Sequence, residues 1–197
     1  GFYSYNLIKQ LCRDFPEDKY FLICDQAEKQ IANILPNTKV ISVPKAPYPK
    51  VANATLGIPY RGAIFDRAVL RPVLKKYKID ILHYLSQNSF IQLGTKTAIV
   101  VTVHDLAVSR FPELSFKVKS AVWVWNYQTK RLGKADFIIT VSETTRTDVL
   151  KYCRARPERT ASTHRGADDC FSDRPEAGDE GILLSYGLKK PYFLHVG

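Results

Sequence analysis

Two pairs of polar residues stand directly after the most apolar runs of the sequence. His104 and Asp105 follow residues 98–103, and Ser142 and Glu143 follow a similar run further along. An imidazole can exchange hydrogen bonds or a proton near neutral pH, because its ordinary pKa is about 6.5. A histidine here can also simply satisfy the polar end of a buried strand, and position alone leaves both interpretations open. Asp105 can accept a hydrogen bond from His104 or cap the next turn, and capping is the favoured interpretation.

The beginnings of two helical patterns supply a second candidate chemistry. Ser142 opens one pattern, with Glu143 beside it, and Gly1 precedes another. Amide groups in the first turn of a helix lack partners within the helix, so they can bind a phosphate or sugar oxygen, and a glycine lets such a group approach closely. An ordinary N-cap explains Ser142 equally well. Gly1 also has the plain interpretation of being the residue at which the sequence starts.

The histidines and cysteines do not form a metal-binding pattern. The sequence contains no H-x-x-x-H or E-x-x-H pair, and its four cysteines show no C-x-x-C spacing. We therefore expect no metal, no disulfide framework and a reducing, cytoplasmic environment. His83 falls inside a predicted strand, where we expect a hydrogen-bonded core role rather than catalysis.

Short apolar runs alternate with helical patterns along the chain. The runs are continuously apolar, as expected of strands that are covered on both faces. Pro72 is expected to kink the second helix, and Gly133 to end the third. This alternation predicts an α/β fold with a doubly wound parallel sheet. The predicted strands are residues 20–24, 39–43, 80–84, 98–103, 136–141 and 192–196, and the predicted helices are residues 3–13, 62–77, 115–133, 142–152 and 178–187.

The predicted topology indicates where a ligand binds. In an open parallel sheet, ligands collect outside the carboxyl ends of the strands. The polar residues and glycines that follow the predicted strands are therefore the candidates for binding. They are the stretch 84–88, which includes Asn88, together with His104, Asp105, Ser142, Glu143 and Gly197.

The charge of the chain favours an anionic partner. The net charge is +10, and residues 110–134 carry six Lys or Arg against the single acid Glu113. Residues 116–134 also contain Trp123, Trp125 and Tyr127, a mixture that suits a membrane surface with anionic lipid. The alternative is that the tryptophans pack on the sheet and the lysines are solvated. No apolar window reaches the roughly 18 residues of a membrane span, and no motif supports nucleic-acid binding.

Several motifs together resemble a known enzyme family. Residues 102–106 (TVHDL), 110–114 (RFPEL) and 135–143 (ADFIITVSE) resemble the acceptor-side domain of family-4 glycosyltransferases, and the likeness extends along most of the chain. Four further stretches fit the same pattern. They are residues 1–5 as the glycine-rich loop, 80–83 with Asn88 as the third-strand motif, 166–168 with Phe171 as the linker strand, and 192–197 as the opening strand of the donor domain.

The resemblance implies the GT-B fold, in which two Rossmann-like domains face each other across a cleft. Residues 1–174 are then the N-terminal, acceptor-side domain without its first strand. Residues 175–197 are a linker, a short helix and the first strand of a truncated donor-binding domain. The implied reaction is transfer of a hexosyl group from a nucleotide-sugar to a glycan or lipid-linked acceptor, with retention at the anomeric carbon and without a metal or other cofactor. The chain alone is expected to be inactive.

The resemblance also implies roles for individual residues. His104 matches the family histidine that lies against the reacting sugar and orients donor and acceptor. Tyr3 stands where a second glycine is common, which predicts a more crowded ligand site, and Arg165 stands where Asn or His is common. The remaining matched positions are expected to bind substrate: Gly1 near the donor phosphates, Asn88, Asp105, Ser142 and Glu143 at the helix start that lines the cleft, and Gly197 in the donor-side loop.

Two other functions remain open from the residues. The first is a GT-B nucleotide-sugar epimerase, which uses the same cleft without an acceptor. The second is a non-catalytic module that binds a sugar or an anionic membrane, since residues 116–134 are basic and aromatic. The expected location is the cytoplasm, with peripheral attachment to the inner face of the membrane.

Overall fold

The fold is known from a computed structural model, which describes residues 2–24, 37–42, 66–87, 94–115, 119–164, 166, 174 and 177–193. Its chain divides into two compact units, Gly1–His164 and Arg165–Gly197. The described helices are α1 (Phe2–Asp14), α2 (Arg71–Tyr77), α3 (Ala107–Arg110), α4 (Pro112–Ser115), α5 (Lys119–Leu132), α6 (Glu143–Asp148) and α7 (Asp179–Ser185). The described strands are β1 (Tyr20–Cys24), β2 (Thr38–Ser42), β3 (Ile81–Tyr84), β4 (Ala98–Val103), β5 (Phe137–Thr140) and β6 (Thr160–Ser162).

All strand pairs in the described part of the chain are parallel. Strands β1 and β2 form a two-stranded sheet, and β3, β4, β5 and β6 lie side by side in that order in a four-stranded sheet. Parallel strands must be joined by crossover connections, and helices occupy several of those connections here. The predicted α/β class is confirmed. Strand β6 was not predicted, because its three residues (TAS) lack an apolar run.

The core lies on the four-stranded sheet, around β4 and β5. Val101, Val103 and Ile138 are almost completely buried, and Leu132 of α5 and Val149 pack with them. These are the apolar runs from which the strands were predicted, and their burial stabilises the sheet by removing apolar surface from water. Cys153 belongs to the same cluster. Burial, assisted by the charge of Asp148, raises the pKa of the Cys153 thiol to about 12, so the group stays protonated.

Local sequence signals explain several helix ends. A π-helical turn at residues 66–70 precedes α2, and Pro72 lies in the first turn of α2, where its missing N–H costs no helical hydrogen bond. Gly133 follows the last residue of α5, as predicted. A side chain at Gly133 would collide with the backbone carbonyl of Cys153, so the need for glycine is one of close approach.

The second unit is described mainly through α7, whose residues are all at least partly exposed. Gly178, with a positive φ of 112°, lies immediately before the helix. The helix falls within the predicted residues 178–187. Tyr192 and Phe193 are outside any strand, and the rest of the predicted strand at 192–196 lies outside the described residues. The predicted domain boundary after residue 174 stays a prediction.

Candidate functional site

His104 is the first residue after β4, and its polar groups are held from several parts of the chain. Its backbone N–H donates to Oε1 of the buried Gln87 at 3.1 Å, and its backbone carbonyl accepts from Oγ1 of Thr145 at 3.4 Å. Its ring nitrogen Nε2 lies 2.9 Å from the carbonyl oxygen of Leu85. Two of these partners follow β3 and one lies in α6, so the fold itself fixes the place of His104.

The bond to Leu85 also fixes how the imidazole is protonated. A carbonyl oxygen can only accept, so Nε2 must carry the hydrogen. In the neutral ring, Nδ1 is then the accepting nitrogen. His104 therefore has the tautomer in which Nε2 donates and Nδ1 is the accepting nitrogen.

Tyr3 brings the beginning of α1 to the same place. The rings of Tyr3 and His104 are perpendicular, with centroids 4.9 Å apart. The Tyr3 hydroxyl lies 3.3 Å from Oγ1 of Thr102, a residue of β4 that is completely buried. The same Oγ1 lies 2.8 Å from Nε2 of His83. His83, Thr102, Tyr3 and His104 thus form one connected group at the carboxyl ends of β3 and β4.

His83 has the hydrogen-bonded core role that was predicted. It is partly buried, and burial lowers the pKa of its imidazole below the ordinary 6.5. The ring is therefore neutral at physiological pH. Its Nε2 can accept a hydrogen bond from the Thr102 hydroxyl, which leaves the Thr102 oxygen able to accept from Tyr3.

Ser142 and Asp105 are capping residues, which is one of the two interpretations left open for Ser142 and the favoured one for Asp105. The Oγ of Ser142 accepts from the backbone N–H of Thr145 at 3.1 Å and caps α6. Asp105 Oδ1 accepts from the backbone N–H of Ala107 at 3.1 Å, at the start of α3. Because Thr145 also bonds the carbonyl of His104, the Ser142 cap and His104 are joined through a single residue. The exposed Glu143 carboxylate lies 3.7 Å from the guanidinium of Arg146.

The segment after Asp105 is tied down by two side-chain contacts. Arg110 Nη2 donates to Oδ1 of Asp148 at 2.8 Å, which links α3 to α6. This hydrogen bond and the charge of Asp148 raise the pKa of Arg110. Trp125 Nε1 donates to Oγ of Ser109 at 2.7 Å, which links α5 to α3. These two contacts hold α3, the helix that follows His104 and Asp105 in the chain.

Of the predicted site residues, the structure brings together His104, Asp105 and Ser142 with Glu143. Gly1, Asn88 and Gly197 lie outside the described residues. The sequence placed Leu85 and Gln87 in the candidate stretch 84–88 but did not predict that they hold His104, and it missed Thr145. Gln87 lies in the predicted binding stretch after β3, and its polar type next to a strand end was the available signal. Thr145 gave no signal beyond its place in a helix.

The tryptophans of α5 divide between the two interpretations that the sequence left open. Trp125 packs against the core. Trp123 is exposed and stacks on Tyr127, with ring centroids 5.9 Å apart and planes 12° apart. Lys130 and Lys134 are exposed further along the same stripe. We call Trp123, Tyr127, Lys130 and Lys134 the outer face of α5.

Within the residues that the structure describes, three or more His, Cys, Asp or Glu side chains are nowhere grouped as metal ligands. Among the described helices, none is both long enough and apolar enough to cross a bilayer.

A family-model comparison agrees with the motifs. The model of Glycosyltransferase Family 4 matches residues 3–170. Among solved structures, the chain is similar to the crystal structure of a glycosyltransferase from Rickettsia africae ESF-5, at 14% sequence identity and a TM-score of 0.49. The similarity covers 94% of this chain and 45% of that chain, so the present chain spans less than half of that protein. No curated protein matches the chain.

Proposed function

The chain belongs to glycosyltransferase family 4, and from that premise we propose that it is the N-terminal, acceptor-side half of a GT-B enzyme. The enzyme transfers a hexosyl group from a nucleotide-sugar to a glycan or lipid-linked acceptor with retention. The observation that carries the proposal is His104, which is held at the carboxyl end of a parallel strand, where sheets of this kind bind ligands. In this proposal, residues 1–197 alone do not catalyse sugar transfer.

His104 positions the sugar in this proposal and does not attack it. Its Nδ1 accepts a hydrogen bond from a sugar hydroxyl, since the Leu85 carbonyl holds the proton on Nε2. A positioned hydrogen bond accelerates transfer when it is stronger in the transition state than in the bound substrate. Leaving-group charge is stabilised by the donor-side half, and Gly1, Asn88 and Gly197 contribute at the substrate site. Neither a metal nor another cofactor takes part.

The test is product analysis with the full-length protein. It is incubated with a panel of nucleoside-diphosphate sugars and candidate acceptors, with and without a metal chelator. We expect release of nucleoside diphosphate, a new glycosidic bond with the anomeric configuration of the donor as read by NMR, and rates that the chelator does not change. Conversion of the donor into an isomer without transfer points instead to an epimerase. Binding of sugar without turnover points to a non-catalytic module.

We also propose that the protein works in the cytoplasm, attached peripherally to a membrane that contains anionic lipid. The outer face of α5 supports this, because it exposes two stacked aromatic rings beside basic residues. Residues 114–134 contain five Lys or Arg and no acid. Aromatic rings bury readily at the lipid interface, and each basic residue near an anionic surface adds about 1 kcal/mol. A lipid-linked acceptor would be met at such a surface.

Vesicle sedimentation of the full-length protein tests the attachment. Vesicles of phosphatidylcholine with phosphatidylglycerol are expected to bind it more strongly than phosphatidylcholine alone, and added salt should weaken binding. The variant carrying Trp123→Ser and Tyr127→Ser is expected to bind about tenfold more weakly. Phe193→Ser is the matched control, since Phe193 is a fully exposed aromatic residue outside α5. Equal binding by all three proteins would contradict the attachment.

A further inference from the structure

Tyr3 contacts both His104 and Thr102. Its ring is perpendicular to the imidazole of His104, with centroids 4.9 Å apart, and its hydroxyl lies 3.3 Å from Oγ1 of Thr102. Thr102 lies near the end of β4, and His104 directly follows that strand. Tyr3 therefore contacts the chain at two positions, two residues apart, where the strand meets the candidate site. Its two ends are therefore attached to the strand that carries His104 and to His104 itself.

Tyr3 contacts His104 through its ring, whereas Gln87, Thr145 and Leu85 contact it through hydrogen bonds. Gln87 and Thr145 bind the backbone of His104, and the Leu85 carbonyl binds the single ring atom Nε2. One hydrogen bond fixes the place of an atom but leaves the plane of a ring free to tilt, because hydrogen bonds tolerate a broad range of angles. A perpendicular aromatic contact restrains that plane, since edge-to-face packing is the favoured arrangement of two rings.

The hydroxyl of Tyr3 has a rigid anchor. Thr102 is completely buried, and its Oγ1 is also 2.8 Å from Nε2 of His83. A hydroxyl group can donate to one partner while it accepts from another, so both bonds form at once. His83 is partly buried on the neighbouring strand β3. The group therefore links the start of α1 to two strands.

We propose that Tyr3 is a positioning residue for sugar transfer, which sets the plane of the His104 ring through its own ring while Thr102 holds its hydroxyl. The proposal rests on the proposed function for its kinetic effect. The Tyr3 side chain reaches from the start of α1 to both His104 and Thr102. It makes the orientation of His104 depend on the first turn of α1.

The kinetic test uses the full-length enzyme and three variants at Tyr3 and His104. Tyr3→Phe keeps the ring and loses the bond to Thr102, so kcat/KM should fall about threefold. Tyr3→Leu loses the ring as well, so kcat/KM should fall about tenfold, mostly in kcat, because misplaced groups slow the chemical step. In a His104→Ala background, Tyr3→Leu should cost less than about twofold, because a residue that acts through His104 has nothing left to position. The same tenfold loss in both backgrounds would overturn the proposal.

A matched control separates positioning from folding. The hydroxyl of Tyr20 donates to the backbone carbonyls of Leu11 and Phe15, at the other end of α1. Tyr20→Phe therefore removes a tyrosine hydroxyl that holds the same helix far from His104. It should lower the melting temperature at least as much as Tyr3→Phe does, while kcat/KM stays within about twofold of wild type. A loss of activity that simply follows stability across these variants would overturn the positioning role.

A spectroscopic measurement does not depend on any activity. The imidazole C–H signals of ¹³C-histidine-labelled protein are assigned to His104 with His104→Gln. Because His104 lies against the Tyr3 ring, its signals carry a ring-current shift. Tyr3→Phe should retain this shift, and Tyr3→Leu should abolish it and leave the signals of His164 in place. An unchanged His104 signal in Tyr3→Leu overturns the contact itself, whereas a changed signal with no transfer in wild type sinks only the proposed function.

Discussion

Two regions of the first unit are built in opposite ways. At the His104 corner, which consists of His104 with Tyr3, Leu85, Gln87 and Thr145, three separate segments meet at one residue: Tyr3 and Leu85 contact its ring, and Gln87 and Thr145 bond its backbone. The outer face of α5 belongs to a single helix and the turn after it, and its aromatic rings stack mainly on each other. A fixed corner suits the orientation of a reacting group, whereas an exposed face suits contact with a surface that has no fixed shape.

The largest effect is expected at Gly133, which directly follows α5 and lies against the backbone of Cys153. Gly133→Ala is expected to cost about 3 kcal/mol of unfolding free energy, because the added methyl group meets the backbone carbonyl of Cys153 and must displace it. Chemical denaturation measures the loss. Gly181→Ala is the control, since an added methyl group there has open space and lies in the helix α7, where alanine is favoured. If the two variants are equally stable, the close packing described for α5 is wrong.

The His104 corner is tested next by a substitution that leaves one of its groups without a partner. Gln87→Leu removes the acceptor of the His104 backbone N–H, and an unsatisfied buried donor costs about 2 kcal/mol. The loop after β3 should also loosen, so transfer by the full-length enzyme should fall about tenfold. Gln87→Glu retains an acceptor and should recover most of both losses. Full activity and stability in Gln87→Leu would show that the corner does not need this bond.

The pH dependence of stability gives a smaller effect. Burial lowers the pKa of His83 in the folded protein below the ordinary 6.5, so the unfolded chain takes up the proton first as the pH falls. The folded protein therefore has its full stability above about pH 6.5, where His83 is neutral in both states. It loses stability as the pH falls through the folded-state pKa. The melting temperature should therefore drop between about pH 7.5 and about pH 5.5, and His83→Gln should reduce that drop. Identical pH profiles would contradict the burial of His83.

The outer face of α5 should give the smallest effect on folding. Trp123→Ser with Tyr127→Ser is expected to change the unfolding free energy by less than about 0.5 kcal/mol, because both rings are exposed. By contrast, Trp125→Phe should destabilise, since it removes the donor to Ser109 from a partly buried position. If Trp123→Ser with Tyr127→Ser lowered the unfolding free energy as much as Trp125→Phe does, the outer face would be part of the core. The contrast between the two regions would then fail.

The difference between the regions also explains what the sequence could predict. Strands β1 and β4 were predicted to the residue, because each is a short, mostly apolar run, with Thr102 as the single polar residue of β4. The exposed aromatic and basic character of α5 lies within one segment and was found as well. The partners of His104 were not, since Leu85, Gln87 and Thr145 are 17 to 41 residues away in the chain. Such contacts exist only after the sheet has formed, and β6 likewise depends on pairing with β5.

The most direct test of the account concerns His104 itself. In the full-length enzyme, kcat/KM for sugar transfer is measured for His104→Ala and for His164→Ala, whose exposed histidine is the matched control. The account predicts a loss of about 100-fold for His104→Ala, with retained folding, because it removes the group that orients the sugar. His164→Ala should stay within about twofold of wild type. A His104→Ala enzyme that transfers sugar within about twofold of wild type would contradict the central claim.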